Sequence, residues 1–84
     1  MLAKYDDLGN FLDLQPGVAC TLGFRQIEQV IIRSSLPDSA RKHREWWSNN
    51  GSQVHARSWM ERGWRVVRNG VDLRGETVRY GFTG

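Results

Sequence analysis

The chain has 84 residues and a formal net charge of +3 at pH 7, which suits one domain spanning residues 1–84 with a modest core. Its hydrophobic content of 39%, with four Trp residues, is typical of a folded domain and excludes a disordered segment. The single cysteine, Cys20, cannot form an internal disulfide or a multi-cysteine zinc site.

Three elements are predicted in the first third of the chain. Residues 4–14 place their apolar side chains at helical spacing, which predicts a short amphipathic helix that Gly9 weakens. The break at 15–17 ends this helix, and residues 18–22 predict a β-strand. An apolar stripe then predicts a second helix, with Phe24, Ile27, Val30 and Ile31 on one side.

A third helix is predicted to begin after Pro37, with Asp38 or Ser39 as its N-cap. One side of this helix is expected to carry Ala40, His43 and Trp47. On another side, the spacing of four residues predicts that Arg41 pairs with Glu45.

The last third of the chain changes from helical to alternating periodicity. Residues 53–62 predict a helix that Gly63 ends as a left-handed C-cap. Alternation then predicts strands at 64–66, 71–73 and 78–82, with a bulge or second turn at 69–70 and a hairpin turn at 74–75. The predicted fold is therefore α+β in the order α-β-α-α-α-β-β. The strand at 18–22 is expected to join a small antiparallel sheet, and the C-terminal hairpin of this sheet is expected to pack on the helices.

Five pieces of the sequence occur in the order of a known family pattern. They are Phe24-Arg25-Gln26-Ile27-Glu28, Leu36-Pro37-Asp38-Ser39-Ala40, Trp46-Trp47-Ser48-Asn49, Ala56-Arg57-Ser58-Trp59 and Gly63-Trp64-Arg65-Val66. The ordered set resembles a family of small uncharacterised bacterial and phage domains, over residues 4–82. The resemblance implies a compact module that stands alone or is attached to larger proteins, some related to DNA restriction. It implies no catalytic residues, and Gly23 departs from the Ser or Thr that often precedes the Phe.

Positive charge is concentrated in the middle of the chain. Residues 39–68 carry seven basic side chains against two acidic ones, and most are Arg, which suits bidentate contacts to phosphate. A basic helix pair joined by a polar loop is similar at a coarse level to two-helix DNA-reading arrangements. The predicted contacts to phosphate are Arg41, Lys42, Arg44, Arg57 and Arg65. The predicted contacts to bases or sugar are Trp46, Asn49 and Gln53.

Each residue of this set also has a structural interpretation. Trp47 is expected in the core, whereas Trp46 either packs against the hairpin or a neighbouring helix, or stays partly exposed as a stacking platform. Asn49 is also expected to cap or clamp the junction between two helices, and Glu28 is expected to neutralise a buried Arg. The arginines could equally form a solvated surface with scattered ion pairs.

Catalysis is not predicted. His43 and His55 are twelve residues apart without a metal-ligand motif, and Ser58 lacks the context of an activated nucleophile. No glycine-rich phosphate loop is present, so neither a cofactor nor a metal is expected.

Three partner classes remain open for a non-enzymatic module. The first is nucleic acid, most of all DNA, contacted through the basic helical surface. The second is a protein, which would make the chain a phage-encoded inhibitor or a component of a bacterial defence system. The third is a second copy of the chain. Because no signal peptide or span of about 20 apolar residues is visible, we expect a cytoplasmic location without membrane contact.

Overall fold

The computed structural model of the protein describes residues 4–84. The helices are α1 (Asp6–Asp13), α2 (Phe24–Gln26), α3 (Asp38–Lys42) and α4 (Val54–Met60). A π-helical segment, Ile27–Ile31, continues α2, and a 3₁₀ segment, Arg44–Trp47, follows α3. The strands are β1 (Ala19–Gly23), β2 (Trp64–Asp72) and β3 (Thr77–Phe82), so the predicted α+β class and element order are confirmed. Within residues 4–84, no helix has the length and apolar character needed to cross a membrane.

The three strands form one antiparallel sheet in the order β1-β3-β2. The prediction that the first strand joins the C-terminal hairpin is confirmed, because Leu22 of β1 lies opposite Val78 of β3. Side chains alternate between the two faces of the sheet. One face, which we call the inner face, buries Leu22, Val78 and Tyr80 against the helices. The other, the outer face, exposes Thr21 and Arg79.

Strand β2 contains a bulge of three extra residues. Between two paired positions β2 advances from Val66 to Val71, while β3 advances only from Tyr80 to Val78. Asn69 takes a left-handed conformation there, with φ of 59°. The alternating stretches predicted at 64–66 and 71–73 thus belong to one strand, which ends at Asp72, and of the bulge or second turn predicted at 69–70 the bulge is confirmed. Gly70 is required in this bulge, since a Cβ would lie 2.9 Å from the Arg79 carbonyl oxygen.

The core is built around buried aromatic side chains. Trp47 is only 1% exposed, stacks on Phe24 with 4.9 Å between ring centroids, and donates from Nε1 to the Ala40 carbonyl at 2.8 Å. Trp59 is fully buried and packs edge-on against Tyr80 at 5.2 Å. The predicted core position of Trp47 is confirmed. Gly63 has φ of +86°, so its predicted left-handed conformation is confirmed, but α4 ends at Met60 and its C-cap is Glu61.

Two expectations for the middle helices are wrong. In the π-helical segment Ile32 donates its N–H to Ile27, five residues back, at 2.8 Å. The wider turn rotates Val30 out of the apolar stripe, and Val30 is 62% exposed. The third helix ends at His43, whose backbone is extended with φ of −130° and ψ of 120°. His43 is exposed rather than packed beside Ala40.

Because the helix ends at His43, Arg41 does not pair with Glu45. Arg41 instead forms a bidentate ion pair with Glu28, at 2.7 and 2.8 Å, and a third bond to Glu76 at 3.0 Å. Glu28 also accepts the Leu36 N–H at 2.7 Å. The expectation that Glu28 neutralises an Arg is confirmed. This cluster connects the π-helical segment, α3 and the hairpin turn, and thereby positions the 3₁₀ segment that follows.

The ion pair gives a prediction for pH dependence. Hydrogen bonds from Arg41 hold the pKa of Glu28 at about 2, below its ordinary value of 4.5. A carboxyl whose pKa is lowered on folding stabilises the fold above its unfolded pKa and loses that contribution as pH falls through the folded pKa. We therefore expect Glu28→Gln to destabilise the protein by about 1–3 kcal/mol at neutral pH. The difference from wild type should shrink as pH falls from 4.5 towards 2.

Urea denaturation at several pH values measures this difference directly. Glu45→Gln is the matched control, because Glu45 is exposed in the 3₁₀ segment and the same charge is removed. We expect the control to stay within about 0.5 kcal/mol of wild type at neutral pH. If Glu28→Gln lowers the free energy of unfolding equally at neutral pH and near pH 2, the ion pair is not the source of the lost stability.

Candidate nucleic-acid interface

Asn49 has a structural role at the edge of the sheet. Its Nδ2 donates to the Val66 carbonyl at 2.9 Å, and its Oδ1 accepts the Val66 N–H at 2.9 Å. The same Oδ1 accepts Trp59 Nε1 at 3.1 Å. Since β2 is an edge strand, the side-chain amide replaces a neighbouring strand at this position. Asn49 does clamp a junction, but between the 3₁₀ segment, α4 and β2, and its amide is not available to a base.

Trp46 is half-buried by its neighbours. Its ring stacks on His55 of α4 with 3.9 Å between centroids and an angle of 3°, and Tyr5 meets it edge-on at 5.7 Å. The Nε2 atom of His55 lies 2.6 Å from the Trp46 carbonyl oxygen, and burial lowers the pKa of His55. Of the two predicted alternatives, Trp46 therefore takes the packed one. A face already stacked on imidazole cannot stack on a base.

Two further members of the predicted set are also drawn into the fold. Arg41 forms ion pairs with Glu28 and Glu76, so its guanidinium is already bound within the fold and is not free to contact a phosphate. Gln53 is half-buried immediately before α4, and its Oε1 is buried without a hydrogen-bond partner within residues 4–84. Neither residue lies on an open surface.

The remaining cations of the predicted set are exposed, and two of them border different cavities. They are Lys42, Arg44, Arg57 and Arg65. Arg44 borders a cavity of about 230 Å³ between the 3₁₀ segment and the β2 bulge. Arg57 borders a different cavity of about 210 Å³, with Tyr5 and Glu61. The coarse similarity to a two-helix DNA-reading arrangement is wrong, because α3 has five residues and α4 has seven, and α4 buries Ala56 and Trp59.

The sequence interpretation missed the arginine on the central strand. Arg79 lies on the outer face of the sheet, where its Nη1 is 3.4 Å from Thr21 Oγ1 of β1. Arg65 of β2 lies on the same face, opposite Gly81. The alternation of Val78, Tyr80 and Phe82 already implied that Arg79 points away from the core. That signal was used only to predict the strand.

Carboxylates near the sheet are engaged by the fold itself. Asp13 binds Arg62 at 2.7 Å and Trp64 Nε1 at 3.1 Å, and these bonds lower the pKa of Asp13. Asp72 accepts the Gly75 N–H at 2.9 Å inside the hairpin turn. Glu76 pairs with Arg41. The outer face therefore presents guanidinium groups whose positive charge is not balanced by an ion pair within residues 4–84.

Comparison with known proteins places the chain in a family. No curated protein and no solved structure matches it. A family model described as a domain of unknown function, DUF7662, matches residues 5–80, which is nearly the whole chain and contains every strand position up to Tyr80. The ordered Phe, Leu-Pro, Trp-Trp and Gly-Trp pieces lie inside this match, as does the buried core around Trp47 and Trp59. The chain therefore belongs to the DUF7662 family.

Proposed function

We propose that the protein is a non-enzymatic module that binds nucleic acid. The observation that carries the proposal is a set of exposed arginines that take part in no ion pair within residues 4–84. Asp13, Glu28 and Glu76 are each paired with an arginine. Exposed arginines, among them Arg44, Arg65, Arg68 and Arg79, make no ion pair within residues 4–84. Such a surplus of fixed guanidinium groups attracts a polyanion and releases its counterions on binding.

Two side chains with shifted pKa values, Glu28 and His55, are engaged by contacts within the fold. Glu28 is saturated by Arg41 and the Leu36 N–H. His55 is stacked on Trp46 and contacts a backbone carbonyl. Both arrangements support a binding role over a catalytic one. The proposal includes a cytoplasmic location, where nucleic acid is accessible.

Salt dependence of binding tests this proposal. Fluorescence anisotropy with labelled duplex and single-stranded DNA should show binding at low salt that weakens as salt rises. Contacts to three or four phosphates predict a slope of about −3 in a plot of log affinity against log salt concentration. The lack of binding to any nucleic acid at low salt, or affinity that does not change with salt, would overturn the proposal.

A protein partner is the second candidate, and a different surface favours it. A groove of about 320 Å³ between α1 and the π-helical segment is lined by Phe11, Leu14, Val30 and Ile31. Leu14 is 80% exposed and Val30 is 62% exposed, so the groove has an apolar rim. This is not the Trp46 surface that the sequence indicated. A host or defence-system protein remains the partner class for this alternative.

Affinity capture from a nuclease-treated lysate separates the two candidates. Retention by the wild type that Leu14→Lys abolishes and Arg79→Ala preserves would favour a protein partner bound in the groove. Loss of all retained material after nuclease treatment would favour nucleic acid.

A further inference from the structure

We propose that the outer face of the sheet is the surface that contacts nucleic acid, and that it binds duplex DNA in the major groove. This inference rests on the proposed nucleic-acid-binding function and specifies its surface and its substrate. It moves the interface from the helical surface that the sequence suggested to strands β1, β3 and β2.

The outer face is exposed and carries two arginines. The register places Arg79 directly opposite Thr21, and Arg65 directly opposite Gly81. Arg65 and Arg79 are thus diagonal neighbours on adjacent strands, about 7–8 Å apart. Both side chains are exposed, and so are Ala19 and Thr21. The face consequently combines two long cationic side chains with the small residues Ala19 and Thr21, and the side chain of Val67 in the bulge lies over Gly81.

Charge complementarity favours an anionic partner on this face. Asp72 is the carboxylate that the register places on the outer side of the described strands, at the turn end opposite Thr77. Its Oδ1 is already bound to the Gly75 N–H in the turn. The central part of the face, around Arg79, therefore presents only positive and neutral side chains.

The lack of aromatic groups on this face favours duplex over single-stranded nucleic acid. Proteins that bind single strands on a sheet stack bases on exposed aromatic rings. In the described strands all three aromatic residues, Trp64, Tyr80 and Phe82, occupy inner-face positions. Trp46 does not provide a platform either, because His55 covers one side of its ring. A backbone-and-groove contact is the mode that remains for the outer face.

The dimensions of the β2–β3 hairpin fit a major groove. This hairpin carries both Arg65 and Arg79, and its two strands lie about 5 Å apart. The major groove of B-DNA is about 12 Å wide, and β-structure is known to enter it. Arginine in that groove contacts guanine in bidentate fashion, and threonine contacts either partner of a base pair. Arg79 Nη1 lies 3.4 Å from Thr21 Oγ1, so the two side chains are neighbours on this face.

Four single substitutions test the surface. Arg65→Ala and Arg79→Ala remove one charge each from the outer face, and Lys42→Ala and Arg57→Ala remove one charge each from the helical surface as matched controls. All four side chains are exposed, so thermal unfolding should match the wild type. We expect each sheet variant to weaken binding to a mixed-sequence duplex by at least about fivefold, and each control by less than about twofold.

The outcomes separate this inference from the function on which it rests. No binding by the wild type to any nucleic acid would overturn both. Binding by the wild type that is weakened by the controls as much as by the sheet variants would overturn the inference and leave the function standing. Tighter binding to single-stranded DNA than to duplex would do the same. Competition by methyl green, a major-groove ligand, supports the inference, whereas competition only by netropsin, a minor-groove ligand, contradicts it.

Discussion

Gly9→Ala should destabilise the protein by about 3 kcal/mol, although alanine is the better helix former by about 1 kcal/mol. Gly9 lies fully inside α1, at the place where this helix crosses α4. An added Cβ would lie 2.1 Å from the Ser58 carbonyl oxygen and 2.6 Å from Arg62 Nε. The first of these atoms is backbone and cannot rotate away. The two helices would have to separate, and the Arg62–Asp13 ion pair would be strained with them.

Denaturant unfolding of Gly9→Ala measures this cost, and Gly51→Ala is the matched control. Gly51 lies in the exposed loop before α4, and a Cβ there would meet no atom within 4 Å. We expect the control to remain within about 0.5 kcal/mol of the wild type. A Gly9→Ala protein that is more stable than the wild type would mean that α1 does not approach α4 closely.

Asn49→Ala is expected to lower the free energy of unfolding by about 2–4 kcal/mol. The substitution leaves the Val66 N–H, the Val66 carbonyl and Trp59 Nε1 without their partner. Each buried polar group that loses its bond costs about 1–3 kcal/mol, and water is expected to restore part of this at the edge of the sheet. Asn49→Asp keeps an acceptor oxygen for the Val66 N–H and Trp59 Nε1 but loses the donor to the Val66 carbonyl. We therefore expect an intermediate loss for it.

Hydrogen exchange and denaturant unfolding together check the role of Asn49. The Val66 amide should lose protection in Asn49→Ala before the amides of β3 do. Asn50→Ala is the matched control, because the Asn50 side chain bonds only the exposed Ser52 within residues 4–84, and its loss should cost about 1 kcal/mol or less. Equal losses of unfolding free energy in Asn49→Ala and Asn50→Ala would contradict the role of Asn49 as a clamp.

Local patterns were sufficient for most of the fold. The alternation of Val78, Tyr80 and Phe82 predicted β3 and its inner face, and Gly63 marked the end of α4. Trp47 was placed in the core because neighbouring positions on a helical turn point in different directions. These features depend on residues close in sequence, which is why spacing reveals them.

The failures share a different physical cause. Nothing near His43 signals a break, since neither Pro nor Gly occurs there, and the break is compensated by Arg41 reaching Glu76, 35 residues away. Gly9 was interpreted as a weak point of a helix. Its missing side chain is instead what allows the backbone of Ser58, 49 residues away in the sequence, to approach α1 closely. Propensity and periodicity do not contain such long-range contacts.

The candidate site was predicted less well than the fold. Arginine and lysine were expected on the surface, and Lys42, Arg44, Arg57 and Arg65 are exposed. Which cations share a face depends on tertiary structure. Lys42 and Arg57 lie on different helices, whereas Arg79 and Arg65 lie on the same face of the sheet. Asn49 and Trp46 have side chains that suit nucleic acid, but the fold uses both.

An NMR titration of the ¹⁵N-labelled protein with a short mixed-sequence DNA duplex at low salt shows whether the outer face of the sheet contacts DNA. We expect the largest amide shifts on β1, β3 and the first half of β2, around Thr21, Arg79 and Arg65. Amides of α3 and α4 should move little. Shifts concentrated around Lys42 and Arg57, or no shifts at any DNA concentration, would contradict it.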